Sequence, residues 1–184
     1  MMKRIAGILA ATVLLALTAD CALAIDVVLR RSTTTKGQGE VTAITKTEVT
    51  VKPKTGDAVE IPANDVVQID WTEESAVFKL ARSDANGGRL QKALDSFNKI
   101  LAEGKVDREF FKTDLEFFIA RATAKIALAD PTKLDDAIKK IEQFKDKHAE
   151  SYRFYENAEL LGELYLAKKD LDRKSTRLNS SHSS

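Results

Sequence analysis

The chain is poor in the residues that most chemistry requires. Cysteine occurs once, histidine twice, proline three times and tryptophan once in 184 residues. One cysteine, Cys21, excludes an internal disulfide framework. So few histidines and cysteines also exclude His/Cys zinc sites and the two-histidine metalloprotease motif. Gly87-Gly88 is not followed by Gly-Lys-Ser/Thr, so no phosphate-cradling loop is present. Charge of one sign is lacking too. Lys and Arg number 29 against 28 Asp and Glu, a net charge of +1 that gives no polyanion-binding signal and no basic membrane patch. The one long apolar run, Ile5 to Leu17, is short for a membrane span of about 20 residues.

What is present begins with a processing segment. Lys3 and Arg4 precede the apolar run, and Ala22-Leu23-Ala24 offers the small residues that a signal peptidase reads. The expectation is a signal peptide over 1–24, cleaved after Ala24, and a periplasmic or otherwise exported cell-envelope protein without stable membrane insertion. Cys21 invites a lipoprotein reading, but Asp20 stands where a lipobox needs a small residue. At the other end, Asp172-Arg-Lys-Ser-Thr-Arg-Leu-Asn-Ser-Ser-His182 resembles the in-frame translation of a sequencing-library adapter. That resemblance implies a non-native tail over 172–184 and a truncated helical array. Setting both segments aside removes Lys3, Arg4, Arg173, Lys174, Arg177, Asp20 and Asp172, and leaves a charge near −2.

From Ile25 to Trp71 the pattern has period two. Val27 and Leu29 alternate with Val28 and Arg30; Val49 and Val51 alternate with Thr50 and Lys52. Gly37-Gln38-Gly39 and Lys54-Thr-Gly-Asp57 read as turns, and Val59-Glu-Ile61 and Val66 to Trp71 as further strands. About five short strands suit a small, strongly bent antiparallel barrel that hides its edges, with a curved meander as the alternative. Gly39-x-Val41-x-x-Ile44, Val49-x-Val51 and Ile61-Pro62-x-x-Asp65-Val66-x-x-Ile69 resemble the SH3-like and Sm-like small barrels. In those families a Pro-led single turn joins the fourth strand to the fifth, which the resemblance places at Pro62–Asp65.

Beyond Trp71 the period becomes 3.6 and five helices are expected over 72–171. The first, over 73–86, places Ala76, Val77, Leu80 and Ala81 on one face. The second carries Leu90, Ala93, Leu94, Phe97, Ile100 and Leu101, a full amphipathic stripe. Gly87-Gly88 and Gly104 break the chain on either side of it. Asp107 is the expected cap of a third helix that is apolar on more than one face, through Phe110, Phe111, Leu115, Phe117, Phe118, Ile119 and Ile126, and so is sandwiched. Asp130-Pro131 opens a fourth, with Leu134, Ala137, Ile138, Ile141 and Phe144. Ser151 is the expected cap of a fifth, with Tyr155, Ala158, Leu161, Gly162 and Tyr165. The stripes beginning at Leu90 and Leu134 align at a constant offset of 44 residues, so the unit is a helix hairpin. Gly88-x-Leu90-x-x-Ala93-x-x-x-Phe97 and Leu161-Gly162-x-x-Tyr165 resemble the second and first helices of a tetratricopeptide unit. The offset is longer than that family's repeat of about 34 residues, and Lys105 stands at the place of its closing proline. The resemblance implies an α+β chain: a small β-barrel over 25–71, then a tetratricopeptide-like solenoid over 72–171. It also implies Gly162 packed against a neighbouring backbone, and an uncovered face around Leu161, Leu164 and Tyr165 that allows self-association.

Candidate chemistry is sparse. His148, the histidine outside the tail, reads as a cation at an exposed helix end. Asp84-x-Asn86-Gly87-Gly88 is similar to the start of a calcium loop, but Gly88 supplies no oxygen and Ser96 stands where a bidentate Glu is needed, so it reads as an inter-helix turn. Asp135-Asp136 and Lys139-Lys140 suit a solvated face with i, i+4 pairs. Trp71 reads as packing between the modules. Tyr152, Phe154 and Tyr155 cluster at a helix start and form the expected peptide-binding face. The reading is an exported, non-enzymatic scaffold for another protein or peptide, with no cofactor, metal or nucleic acid. Its alternative is a cell-wall glycan binder acting through the barrel.

Overall fold

The computed structural model describes residues 25–181, with side chains through Arg173. The leader at 1–24 lies outside the described residues, as do the last three residues of the tail. The fold is α+β: five strands, then five helices among the described residues. The strands are β1 (Asp26–Arg30), β2 (Gly37–Ile44), β3 (Glu48–Lys52), β4 (Val59–Pro62) and β5 (Val66–Asp70). The helices are α1 (Ala76–Asn86), α2 (Leu90–Ala102), α3 (Glu109–Ala129), α4 (Leu134–Lys147) and α5 (Phe154–Ser181).

The strands form one antiparallel sheet in the order β4-β3-β2-β1-β5. Its bend lies in β2, whose first residues pair with β1 (Asp26 opposite Gly39) and whose later ones pair with β3 (Val41 opposite Val51). Gly37-Gln38-Gly39 therefore belongs to a strand and is not a turn. A Cβ on Gly39 would sit 2.3 Å from the Lys52 carbonyl oxygen, so glycine is required there for close approach. The expected Pro62–Asp65 corner is present as a single 3-10 turn over Ala63–Asp65. The barrel is corrected: β4 and β5 are the two edges of an open sheet and do not pair. Closure is unnecessary because the helices supply the missing cover. Val28, Val41, Val49, Ile61 and Ile69 share one continuous core with Phe78, Phe97, Phe111 and Phe118. Pro62, which has no N–H to offer, blunts the β4 edge. On β5 the Val67 carbonyl accepts from the Arg153 side chain at 3.4 Å.

The α2 stripe packs as expected, with Ala93 and Phe97 fully buried. Between α1 and α2 the chain makes a Schellman turn, with Gly88 at φ +80. Its bonds run from Arg89 N–H to the Asp84 carbonyl and from Gly88 N–H to that of Ala85. The Arg89 guanidinium also bonds the Asp84 carboxylate at 2.7 Å, so the calcium-like segment is an inter-helix turn. The sandwiched α3 buries Phe111, Leu115, Phe117, Phe118 and a run of alanines. A second core joins α3, α4 and α5 through Phe117, Ile141, Phe144, Leu160 and Leu164.

Four helix details differ from expectation. Val77 and Leu80 of α1 are exposed; its buried face is Phe78, Ala81 and Arg82. Arg82 is buried because Glu74 and Asp70 neutralise it at 2.6 and 2.7 Å. Asp107 does not cap α3, whose N-cap is Arg108. Asp135 reaches Lys168 of α5 at 2.6 Å, an inter-helix pair in place of the expected i, i+4 pair. Finally, Leu164 is fully buried, and a Cβ on Gly162 would meet nothing within 4 Å, so Gly162 packs against no neighbour.

Candidate interaction site

The joint between sheet and helices is built from buried carboxylates. Asp26 accepts from Val41 N–H at 2.9 Å, Thr72 N–H at 3.1 Å and the Arg108 guanidinium at 2.9 Å. Arg108 also donates to the Val41 carbonyl at 2.8 Å and lies over the Trp71 ring. Asp114 of α3 is the second node. Trp71 Nε1, Tyr152 Oη and Arg153 Nε converge on it at 3.0, 2.9 and 3.0 Å. Every partner there is buried, so charge and hydrogen-bonding capacity are matched where water is excluded. Burial works against the Arg153 charge, but the Asp114 carboxylate outweighs it and holds the guanidinium further above its ordinary range. Burial, reinforced by Asp114, pushes the Tyr152 phenol well above its ordinary value.

This joint sets two turns opposite one another. The β2–β3 turn is fixed by Thr45, whose hydroxyl accepts from Glu48 N–H at 3.1 Å. The α4–α5 turn is fixed by the bond from Ser151 N–H to the His148 carbonyl at 3.0 Å. Lys46 and Glu150 bridge the seam at 3.8 Å. Adjoining that bridge, with Glu150 in its lining, is a depression of about 360 Å³ whose surface combines apolar Ile44, Phe110 and Tyr152 with Glu109, Asp146 and His148. A second depression of about 390 Å³ is lined by Thr47 of the β2–β3 turn, Asn64 and Tyr155.

His148 is not the exposed helix-end cation of the sequence reading. Its side chain is only 9% exposed; Nε2 lies 2.7 Å from Glu116 and the ring packs on Phe144. Lys147 joins the same carboxylate at 2.7 Å. Burial raises the Glu116 carboxyl, but bonds from Lys147 and His148 outweigh it, and the net direction is down. Thr113 Oγ1 stands 3.4 Å from His148 Nδ1, too long for a strong hydrogen bond to an activated hydroxyl.

The three-residue face of Tyr152, Phe154 and Tyr155 is divided by the structure. Tyr152 is buried, its hydroxyl committed to Asp114, and only its ring meets the first depression. Tyr155 is exposed and walls the second, with the half-buried Phe154 edge-on to it at 5.5 Å. Ile44 and the loop acid Glu150 were not legible as site residues, because only tertiary contact brings the end of β2 to the α4–α5 turn. Trp71 is buried at the joint, as its position between the two modules suggested.

Among the described residues no cluster of His, Cys, Asp and Glu is placed to hold a metal ion, and no helix is long and apolar enough to cross a membrane. No protein-family model matches the chain, and no curated protein or solved structure matches it.

Proposed function

We propose that this chain is an exported, non-enzymatic binding protein in which a small SH3-like sheet module is joined to a tetratricopeptide-like helical array. It holds an extended segment of another protein along the seam between them. The observation that carries the reading is the pair of depressions lined by residues of the two turns that the Lys46–Glu150 bridge joins, with Ile44, Phe110, Tyr152 and Tyr155 as their apolar and aromatic surface. Buried Asp26 and Asp114 support it by fixing both walls, so little order has to be gained on binding. Alternating side chains of an extended segment fit successive depressions, which is how such segments are commonly selected. The glycan-binding alternative asks for exposed aromatics on the strands, and Trp71 of that region is buried.

Selection from a displayed library of random peptides, followed by anisotropy titration, tests this. Selected peptides are expected to bind the parent and to lose about tenfold or more in affinity with Ile44→Glu or Tyr155→Ala. Failure to select any peptide, or binding indifferent to both substitutions, overturns the reading.

A further inference from the structure

Helix α5 has two apolar faces, and the fold uses one. Asn157, Leu160 and Leu164 are buried against α3 and α4. On the opposite side Tyr155, Glu159, Gly162, Leu166 and Lys169 recur at alternating spacings of four and three, the period of a helix–helix seam. Leu166 is 60% exposed and Tyr155 55%, and the space over Gly162 is open. Glu159 and Lys169 are exposed, and neither has an ion-pair partner among the described residues.

We propose that this stripe docks antiparallel onto the same stripe of a second copy, giving a two-fold dimer. Set antiparallel about the level of residue 164, Leu166 of each copy falls opposite Gly162 of the other. The gap left by the missing side chain then receives the most exposed large apolar one. In the same register Glu159 of each copy falls opposite Lys169 of the other, so shape and charge are complementary together. A parallel arrangement is disfavoured: it would set Glu159 against Glu159, Lys169 against Lys169, and leave a void between the two glycines. Because the contact is isologous it closes on itself and does not propagate into a filament. This surface is independent of the seam except at Tyr155, which the test therefore leaves unaltered.

Sedimentation of the full chain, with thermal melting as the folding control, decides the matter. The parent is expected to show concentration-dependent dimerisation, and L166E to be monomeric. Either E159K or K169E should weaken association about tenfold by placing like charges together twice. The double variant E159K/K169E should restore association, because both contacts are re-formed with signs exchanged. All three positions tested are exposed, so the melting control should hold. A parent that stays monomeric overturns the proposal. So does a double variant no better than the singles, a dimer indifferent to L166E, or open-ended filaments.

Discussion

Asp114 is the residue on which most of the joint depends. Its carboxylate is nearly inaccessible and answers three buried donors, one of them the charged Arg153. Asp114→Ala removes the buried partner of that guanidinium, leaving it the partly exposed Glu156 at 2.9 Å, and leaves the Trp71 and Tyr152 donors unanswered; the expected cost is about 3 kcal/mol by chemical denaturation. Asp65 is a separate, milder case. The Ser32 hydroxyl and then Arg30 bond it, and its carboxyl is lowered from 3.8 to about 2. A depressed acid contributes stability above its unfolded value, and that contribution is lost as pH falls through the folded one. Denaturation series between pH 4 and pH 2 should therefore show a loss that Asp65→Asn lacks. A parallel pH dependence in that variant would remove Asp65 as the cause.

At the scale of elements, hydrophobic periodicity located the helices, while burial chose their faces. Phe97→Ala should cost about 3–5 kcal/mol and Lys99→Ala almost nothing, since one side chain is fully buried and the other exposed. The α1 helix gives a sharper test. Phe78→Ala should be as costly as Phe97→Ala, whereas Leu80→Lys on the exposed face should be close to neutral in thermal melting. The amphipathic pattern alone put Leu80 inside. Arg82 displaced it, because an arginine paired with Glu74 and Asp70 can be buried where an unpaired one cannot. Burial likewise chose the face of α5, whose inner side is Leu160 and Leu164 and not the Tyr155, Gly162 and Tyr165 side.

For the whole molecule, the joint makes sheet and helices cooperative: one apolar core runs from Val28 through Trp71 to Phe118. A single unfolding transition is the expected outcome, with near-ultraviolet and far-ultraviolet signals coinciding. Secretion in a bacterial host should give a mature chain beginning at Ile25, one residue before the buried Asp26. Mass measurement showing lipid on Cys21 would replace that reading with an anchored lipoprotein. Helix α5 continues to Ser181, through most of the segment read as adapter-derived. Removing residues 172–184 should leave the melting temperature unchanged, as a Ser/Arg/Asn-rich extension has little to bury.

Local chemistry was legible in the residue order. Alternating valines set the strands, and Gly88, Asp130-Pro131 and the stripes at Leu90 and Leu134 set the helices and their 44-residue offset. These signals act between near neighbours, through backbone conformation and the side chain's own preference for water or hydrocarbon. Other features depended on partners far apart in sequence. The open sheet and the buried role of Asp26 are among them, and the Asp26–Arg108, Asp114–Arg153, His148–Glu116 and Lys46–Glu150 pairs join positions from 32 to 104 residues apart. A charged residue reads as surface until a partner of opposite sign is brought against it. That neutralisation is a property of the assembled fold, which is why the sequence determined the elements and only the tertiary structure decided the joint and the site upon it.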